Sequence, residues 1–288
     1  MSADPAGAYA ATLSRFADRL FRSGGSDPGD AALEIPAERL EVYRELVRRG
    51  YTSMLRFAYP MSFRLIAAEI TTSDPAPGLP SSVDAVIARF LEDSPAANHS
   101  TRHIADAFRT HFDREQGPLL ARRPELADLM TLERAALGAL YAFDDPGRSP
   151  GGDELAALQA SAVPDFLALR VCRAPSSTTL RLAHEATRLH HRLAHRDVPE
   201  PGAHAAPERV VVSRDPASLE ARFTTLDEAP FRAVLAVPPG AETSVEALAA
   251  AWLEDLPEAD ARRDEAWQLT TLAGAVLTGL HAGWFRLP

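Results

Sequence analysis

Residues 170–196 hold the densest set of side chains able to do chemistry. His184, His190, His191 and His195 stand among Arg170, Arg173, Arg181, Arg188, Arg192 and Arg196. On a helix, His184, Arg188, His191 and His195 share a face, and the i, i+4 pair His191 and His195 has metal-ligand spacing. No carboxylate joins that face, and Arg188 in its middle would repel a dication. The pattern points to a polar interaction face and assigns no metal. With Glu185 as the one acid, the stretch carries a local charge of +5. A second basic stretch, residues 39–64, sets Arg39, Arg44, Arg48, Arg49, Arg56 and Arg64 against Glu41 and Glu45, a local +4. Such charge suits an acidic partner: a peptide, a protein face or a phosphate. Arg39, Arg44, Arg181, Arg188 and Arg192 are therefore expected at partner surfaces.

Nothing else amounts to an active site. Cys172 would need a nearby base or helix N-terminus to become a thiolate nucleophile, and the sequence places neither. It reads as a strand residue packed in a sheet. Glu133, between Leu132 and Arg134, reads as the ion-pair partner of an arginine on a neighbouring helix. The motifs GxGxxG, GxxxxGK, GxSxG and HExxH do not occur. All 30 basic residues are arginine and none is lysine, which excludes Schiff-base and P-loop-lysine chemistry. A single cysteine excludes an internal disulfide and an iron–sulfur cluster held by this chain alone. No catalytic residue and no cofactor are assigned.

The formal charge is −10 over 288 residues. Residues 1–146 carry 16 Arg against 21 acids, and residues 151–288 carry 13 against 19. Neither half has the basic balance of a nucleic-acid-binding domain. No run of 18 apolar residues occurs and the first residues do not read as a secretion signal, so a cytoplasmic protein without membrane contact is expected.

Linker composition over 71–82, 144–153 and 197–207 breaks the chain, with the middle one as the domain boundary. Residues 1–146 form an all-helical domain. Helices are predicted over 9–22, 37–57, 61–70, 82–93, 100–113 and 124–143, with Pro60 forcing a break and Ser81 or Ser82 as a cap. Residues 153–288 form an α+β domain. Strands are predicted over 165–172, 177–183, 208–214 and 219–225, the last two as a hairpin turning on residues 215–218. Helices follow at 227–236, 243–256 and 260–281, the middle one opening on a capping-box pattern from Thr243 to Glu246. A short strand closes the chain near Trp284. The fold class is α+β: a helical domain, then a small antiparallel sheet with C-terminal helices in a winged-helix-like order.

Arg39-Leu40-Glu41-Val42-Tyr43-Arg44, followed by Val47, Leu55 and Tyr59-Pro60, resembles the N-terminal signature of the HvfC/BufC family. Pro124 to Leu129 with Leu132-Glu133 is similar to that family's PxLADLAxLE helix, and Ala174-Pro175-Ser176 with Leu180-Arg181-Leu182 to its HPS element. The motifs keep family order over residues 10–286. Glu45-Leu46 replaces the family's asparagine, Tyr59-Pro60 its Phe-Pro, and Arg134 its tryptophan. The resemblance implies a non-catalytic partner subunit of an HvfB/MbnB-type multinuclear iron oxidase in the biosynthesis of a ribosomally made, modified peptide. Iron and chemistry belong to the oxidase. This chain would form a heterodimer with it and engage the precursor's leader peptide.

On that footing Tyr43 and Tyr59 join the partner-surface arginines. The hairpin strands 208–214 and 219–225 become candidate edges for an extended peptide. In the first, Val210 and Val212 face one way and Arg209, Val211 and Ser213 the other, so Arg209, Val210, Val211, Val212 and Ser213 are expected to bind peptide. The alternative is a DNA-binding regulator using the terminal three helices. Asp260, Asp264 and Glu265 beside Arg262 and Arg263 weigh against it.

Overall fold

The computed structural model describes residues 36–93, 100–142 and 147–288; the helix expected over residues 9–22 lies outside them. The described chain is α+β, with thirteen helices and two small three-stranded antiparallel sheets where one sheet was expected. It divides into two compact units, up to Pro124 and from Glu125.

The first unit is helical throughout its described residues: α1 (Ala37–Ala58), α2 (Pro60–Ile70), α3 (Val83–Asp93), α4 (Thr101–Glu115) and α5 (Gly117–Arg122). Pro60 lacks an N–H, so α1 stops at Tyr59 and Pro60 takes the first position of α2. Ser82 caps α3, its hydroxyl accepting from the Ala85 N–H at 3.1 Å. Phe108 of α4 sits at the centre of an aromatic cluster, with ring centroids 5.4 Å from Phe90, 5.5 Å from Phe63 and 5.7 Å from Tyr59. Glu69 is buried on α2, and the Arg123 Nε donates to it at 2.6 Å.

The second unit opens with α6 (Glu125–Leu140), then α7 (Gly152–Gln159), α8 (Val163–Ala168), β1 (Arg170–Arg173), β2 (Thr178–Leu182) and α9 (Ala186–Ala194). β3 (Glu208–Arg214), β4 (Ala221–Thr225), α10 (Glu228–Leu235), β5 (Glu242–Ser244) and α11 (Val245–Asp255) follow. α12 (Glu258–Ala261), α13 (Glu265–Ala282) and β6 (Phe285–Arg286) complete it. The division falls before α6 and not in the 144–153 linker, because α6 packs on the sheet. Leu132 and Ala139 of α6 share a buried cluster with Val210 and Val212 of β3, Leu182 of β2 and Ala186 of α9.

One sheet runs β2-β3-β4 and the other β5-β1-β6. Val211, on the opposite face of β3 from Val210 and Val212, enters the larger core with Phe231, Trp252, Val276, Leu280 and Trp284. The linker itself is clipped to the last residues of the chain: the Arg148 N–H donates to the Leu287 carbonyl at 2.8 Å, and the Leu287 N–H to that of Arg148 at 2.9 Å.

Three local expectations are corrected. The strand over 165–172 is a short helix first, because Pro164 takes a first-turn position of α8. The helix over 260–281 is two, because the Asp264 carboxylate accepts from the Trp267 N–H at 2.8 Å and starts α13 afresh. The cap of α11 is Ser244, accepting from the Ala247 N–H at 3.1 Å, so Glu246 is one position short of closing a capping box.

Gly279 on α13 lets the C-terminal turn close. A Cβ there would stand 2.2 Å from Trp284 Nε1 and 2.4 Å from Phe285 Cδ2, both buried rings. Gly279→Ala is expected to cost about 2–3 kcal/mol through overpacking, despite alanine's better helix propensity. Denaturant unfolding followed by tryptophan fluorescence measures it. An unchanged midpoint would mean that the rings move aside freely.

Candidate functional site

The central strand of β2-β3-β4 is β3, paired with β2 (Leu180 opposite Val210) and with β4 (Thr225 opposite Val210). Val210, Val211, Val212 and Ser213 are buried, and the Ser213 hydroxyl donates to the Ala282 carbonyl at 2.9 Å. The expected alternation of the valines is observed, but both faces are covered and both edges are taken. Arg209, Val210, Val211, Val212 and Ser213 therefore cannot receive an added strand, and that assignment is corrected. Arg209 turns its guanidinium to Glu228.

Among the described residues, β4 has a strand neighbour on one side only. The Leu226 N–H donates to Arg209 O at 3.0 Å, and the Asp215 N–H to Glu220 O at 2.7 Å. With the antiparallel register, these two bonds fix the pattern: Glu220, Arg222, Thr224 and Leu226 direct their backbone groups at β3. Ala221, Phe223 and Thr225 direct theirs away from it, along the open side. The Phe223 side chain packs on the α6 face of the sheet, which holds β4 in register. At the far end, the Asp215 carboxylate accepts from the Ala217 and Ser218 N–H groups, both at 2.9 Å, and builds the hairpin turn. Those two backbone N–H bonds hold its carboxyl below the usual range.

Several arginines of the basic stretches are matched by acids, some within the stretch and some from other parts of the chain. Arg181 makes a two-pronged bond to Glu228, 2.9 Å on each oxygen, and stacks over Phe231 at 5.0 Å. Arg192 pairs with Asp197 at 2.7 Å, Arg188 with Glu185 at 3.7 Å and Arg170 with Glu242 at 2.6 Å. Arg173 is buried. In the first stretch, Arg49 pairs with Glu45 at 2.7 Å and Arg56 with Asp84 at 2.8 Å. Of the expected partner-surface residues, Arg39 and Tyr43 on α1 are exposed, and Arg188 is exposed at 69 %. The Arg44 side chain lies outside what is described. Tyr59 is corrected: it is fully buried, and its hydroxyl donates to the Ala105 carbonyl at 2.8 Å, so it serves the core of the first unit.

The histidines make separate local contacts, with His184 held by Asp128 and His191 stacked on His195. His184 precedes α9, and its Nδ1 lies 2.7 Å from Asp128 Oδ2. That same oxygen accepts from the Ala183 and His184 N–H groups at 2.9 and 3.0 Å, tying α6 to the loop before α9. His191 and His195 stack with centroids 4.5 Å apart. Among the described residues, no group of three or more His, Cys, Asp or Glu could hold a metal ion. Cys172 and Glu133 are buried.

Glu228 is the electrostatic hub of the sheet's end. Arg181, Arg209 and Arg232 all donate to its two oxygens, Arg232 at 2.6 Å. It also sits in the first turn of α10, where the helix dipole favours an anion. The Arg181 bond first, then Arg232 and Arg209, pull its carboxyl down to about 2. A depressed carboxylate contributes stability that is complete above the unfolded value of 4.5 and is lost as pH falls toward 2. Because the cluster is partly solvated, Glu228→Gln is expected to cost only about 1–2 kcal/mol at pH 7. The deficit should close between pH 4.5 and pH 2 in unfolding titrations. A deficit constant with pH would show that the variant acts through shape and not charge.

Of the two candidate edges, 208–214 is the central strand, and β4 alone of the pair keeps a side without a strand neighbour among the described residues. A usable signal was present. Three consecutive valines in β3 mark a strand covered on both faces, which belongs at the centre of a sheet.

No helix among the described residues is long and apolar enough to cross a membrane. A scan against known family models finds no match for this chain, and neither does a comparison with curated protein sequences.

Proposed function

We propose that this chain is a non-catalytic partner subunit of an HvfB/MbnB-type iron oxidase, and that it presents the precursor peptide by holding its leader as an added strand on β4. The observation that carries the reading is the open side of β4. There Ala221, Phe223 and Thr225 offer backbone donors and acceptors in a row on a strand fixed by core packing. Main-chain pairing of this kind supplies affinity with little sequence demand, and side-chain contacts supply selectivity. The order of the HvfC/BufC-like motifs along the chain supports the identity of the partner. In this division of labour the oxidase holds iron and makes the new bonds, while this chain fixes where the peptide lies.

Co-expression of the full chain with an HvfB/MbnB-type oxidase and a short cysteine-containing precursor peptide tests the pairing. A complex that survives size-exclusion chromatography and gains peptide is expected. Separate elution of oxidase and chain, with and without peptide, overturns the proposal.

A further inference from the structure

The geometry points to a second contact for the same peptide: a groove between α10 and α13 that takes an apolar side chain neighboured by a basic one, just beyond the strand paired with β4. This rests on the strand-addition reading above.

The groove has a volume of about 410 Å³ and starts at Leu226, the residue that follows β4. Leu226 still bonds β3 through its N–H, so the sheet runs up to the mouth of the groove. An extended peptide advances about 3.3 Å per residue, and within about two residues of leaving β4 it stands over the opening. Leu226, Pro230 and Trp267 supply apolar lining, and Asp227 and Asp260 supply acid. Neither aspartate belongs to any ion pair seen among the described residues, whereas Glu228 beside them is already matched by three arginines. Two free carboxylates on an apolar groove, in a chain of net charge −10, complement a cationic residue and disfavour an acidic one.

Gly274 provides a clean probe. It faces the groove from α13, and a Cβ built on it meets nothing within 4 Å. Gly274→Leu therefore fills the groove from a helical position where leucine is the better helix former. Selection of displayed random dodecapeptides on the full chain supplies the probe. Enriched peptides are expected to carry about five alternating β-forming residues and, at one end, an apolar residue next to Arg or Lys. The end on which that pair falls shows whether the peptide runs antiparallel or parallel to β4.

Against the enriched peptide, Gly274→Leu should weaken binding at least 10-fold. Asp227→Asn with Asp260→Asn should weaken it about 5-fold and flatten its salt dependence. Thr225→Pro, which blocks the edge, separates the two ideas. If it abolishes binding while Gly274→Leu leaves the affinity unchanged, the groove is not a contact and strand addition stands. If the library yields no peptide sensitive to Thr225→Pro, strand addition fails and the groove inference falls with it.

Discussion

Arg173→Ala is expected to destabilise the second unit by about 3–4 kcal/mol. Arg173 closes β1 and is 3 % exposed. Its guanidinium donates to the carbonyls of Val234 and Val237 at 3.1 and 2.9 Å and to the Ser177 hydroxyl at 3.1 Å. Val234 lies in the last turn of α10, its carbonyl also accepting from the Val237 N–H at 3.4 Å, and Val237 follows just past the helix. One buried fork therefore joins the end of α10 to β1 and to the turn before β2. Desolvation pulls the guanidinium down to about 10, so it stays charged at neutral pH. Truncation leaves a cavity and buried acceptors without their donor, the two costliest kinds of point change. Lysine carries the charge but not the fork, so Arg173→Lys should recover less than half of the loss. All three tryptophans lie in this unit, at 252, 267 and 284, so their fluorescence in a urea titration follows it alone. A loss below about 1 kcal/mol would mean that water replaces the guanidinium.

Thr225→Pro should remove peptide binding, with affinity falling at least 100-fold, while the fold is kept. The Thr225 N–H points away from β3, so no ladder bond inside the sheet is lost. Proline is tolerated on an edge strand in that position, and Thr224 before it is already extended. The added ring stands where a partner strand would lie, and one donor in the row disappears. A melting-temperature change of only a few degrees is expected beside the lost binding, measured by fluorescence anisotropy of labelled precursor peptide. Arg181→Ala is the informative contrast. Its side chain serves Glu228 and Phe231 and lies on β2, away from the β4 edge. It should weaken the fold modestly and leave peptide affinity within about 2-fold.

The sequence makes plain what local chemistry decides. Pro60 places the α1–α2 break, Ser82 caps α3, and Asp215 with the residues after it turns the β3–β4 hairpin. Period and punctuation are short-range properties, so they show in one sequence. The pairings that govern the site are long-range. That β2 lies on the other side of β3, making it central, joins residues about 30 positions apart. The acids that match arginines of the basic stretches come from as far away as Glu228 for Arg181 and Glu242 for Arg170. A local charge count sees +5 where the folded unit has ion pairs. Tyr59 misled for a related reason: a motif position can be kept by packing as readily as by contact with a partner.

The most direct measurement follows oxidation of the precursor peptide by purified components. The account predicts turnover when oxidase and this chain are combined, weak or no turnover with iron-loaded oxidase alone, and none with this chain alone. Thr225→Pro chain added to wild-type oxidase should raise the peptide's KM and leave the oxidase–chain complex intact. Oxidation by the oxidase at full rate without this chain, or modification of the peptide by this chain without the oxidase, would contradict it.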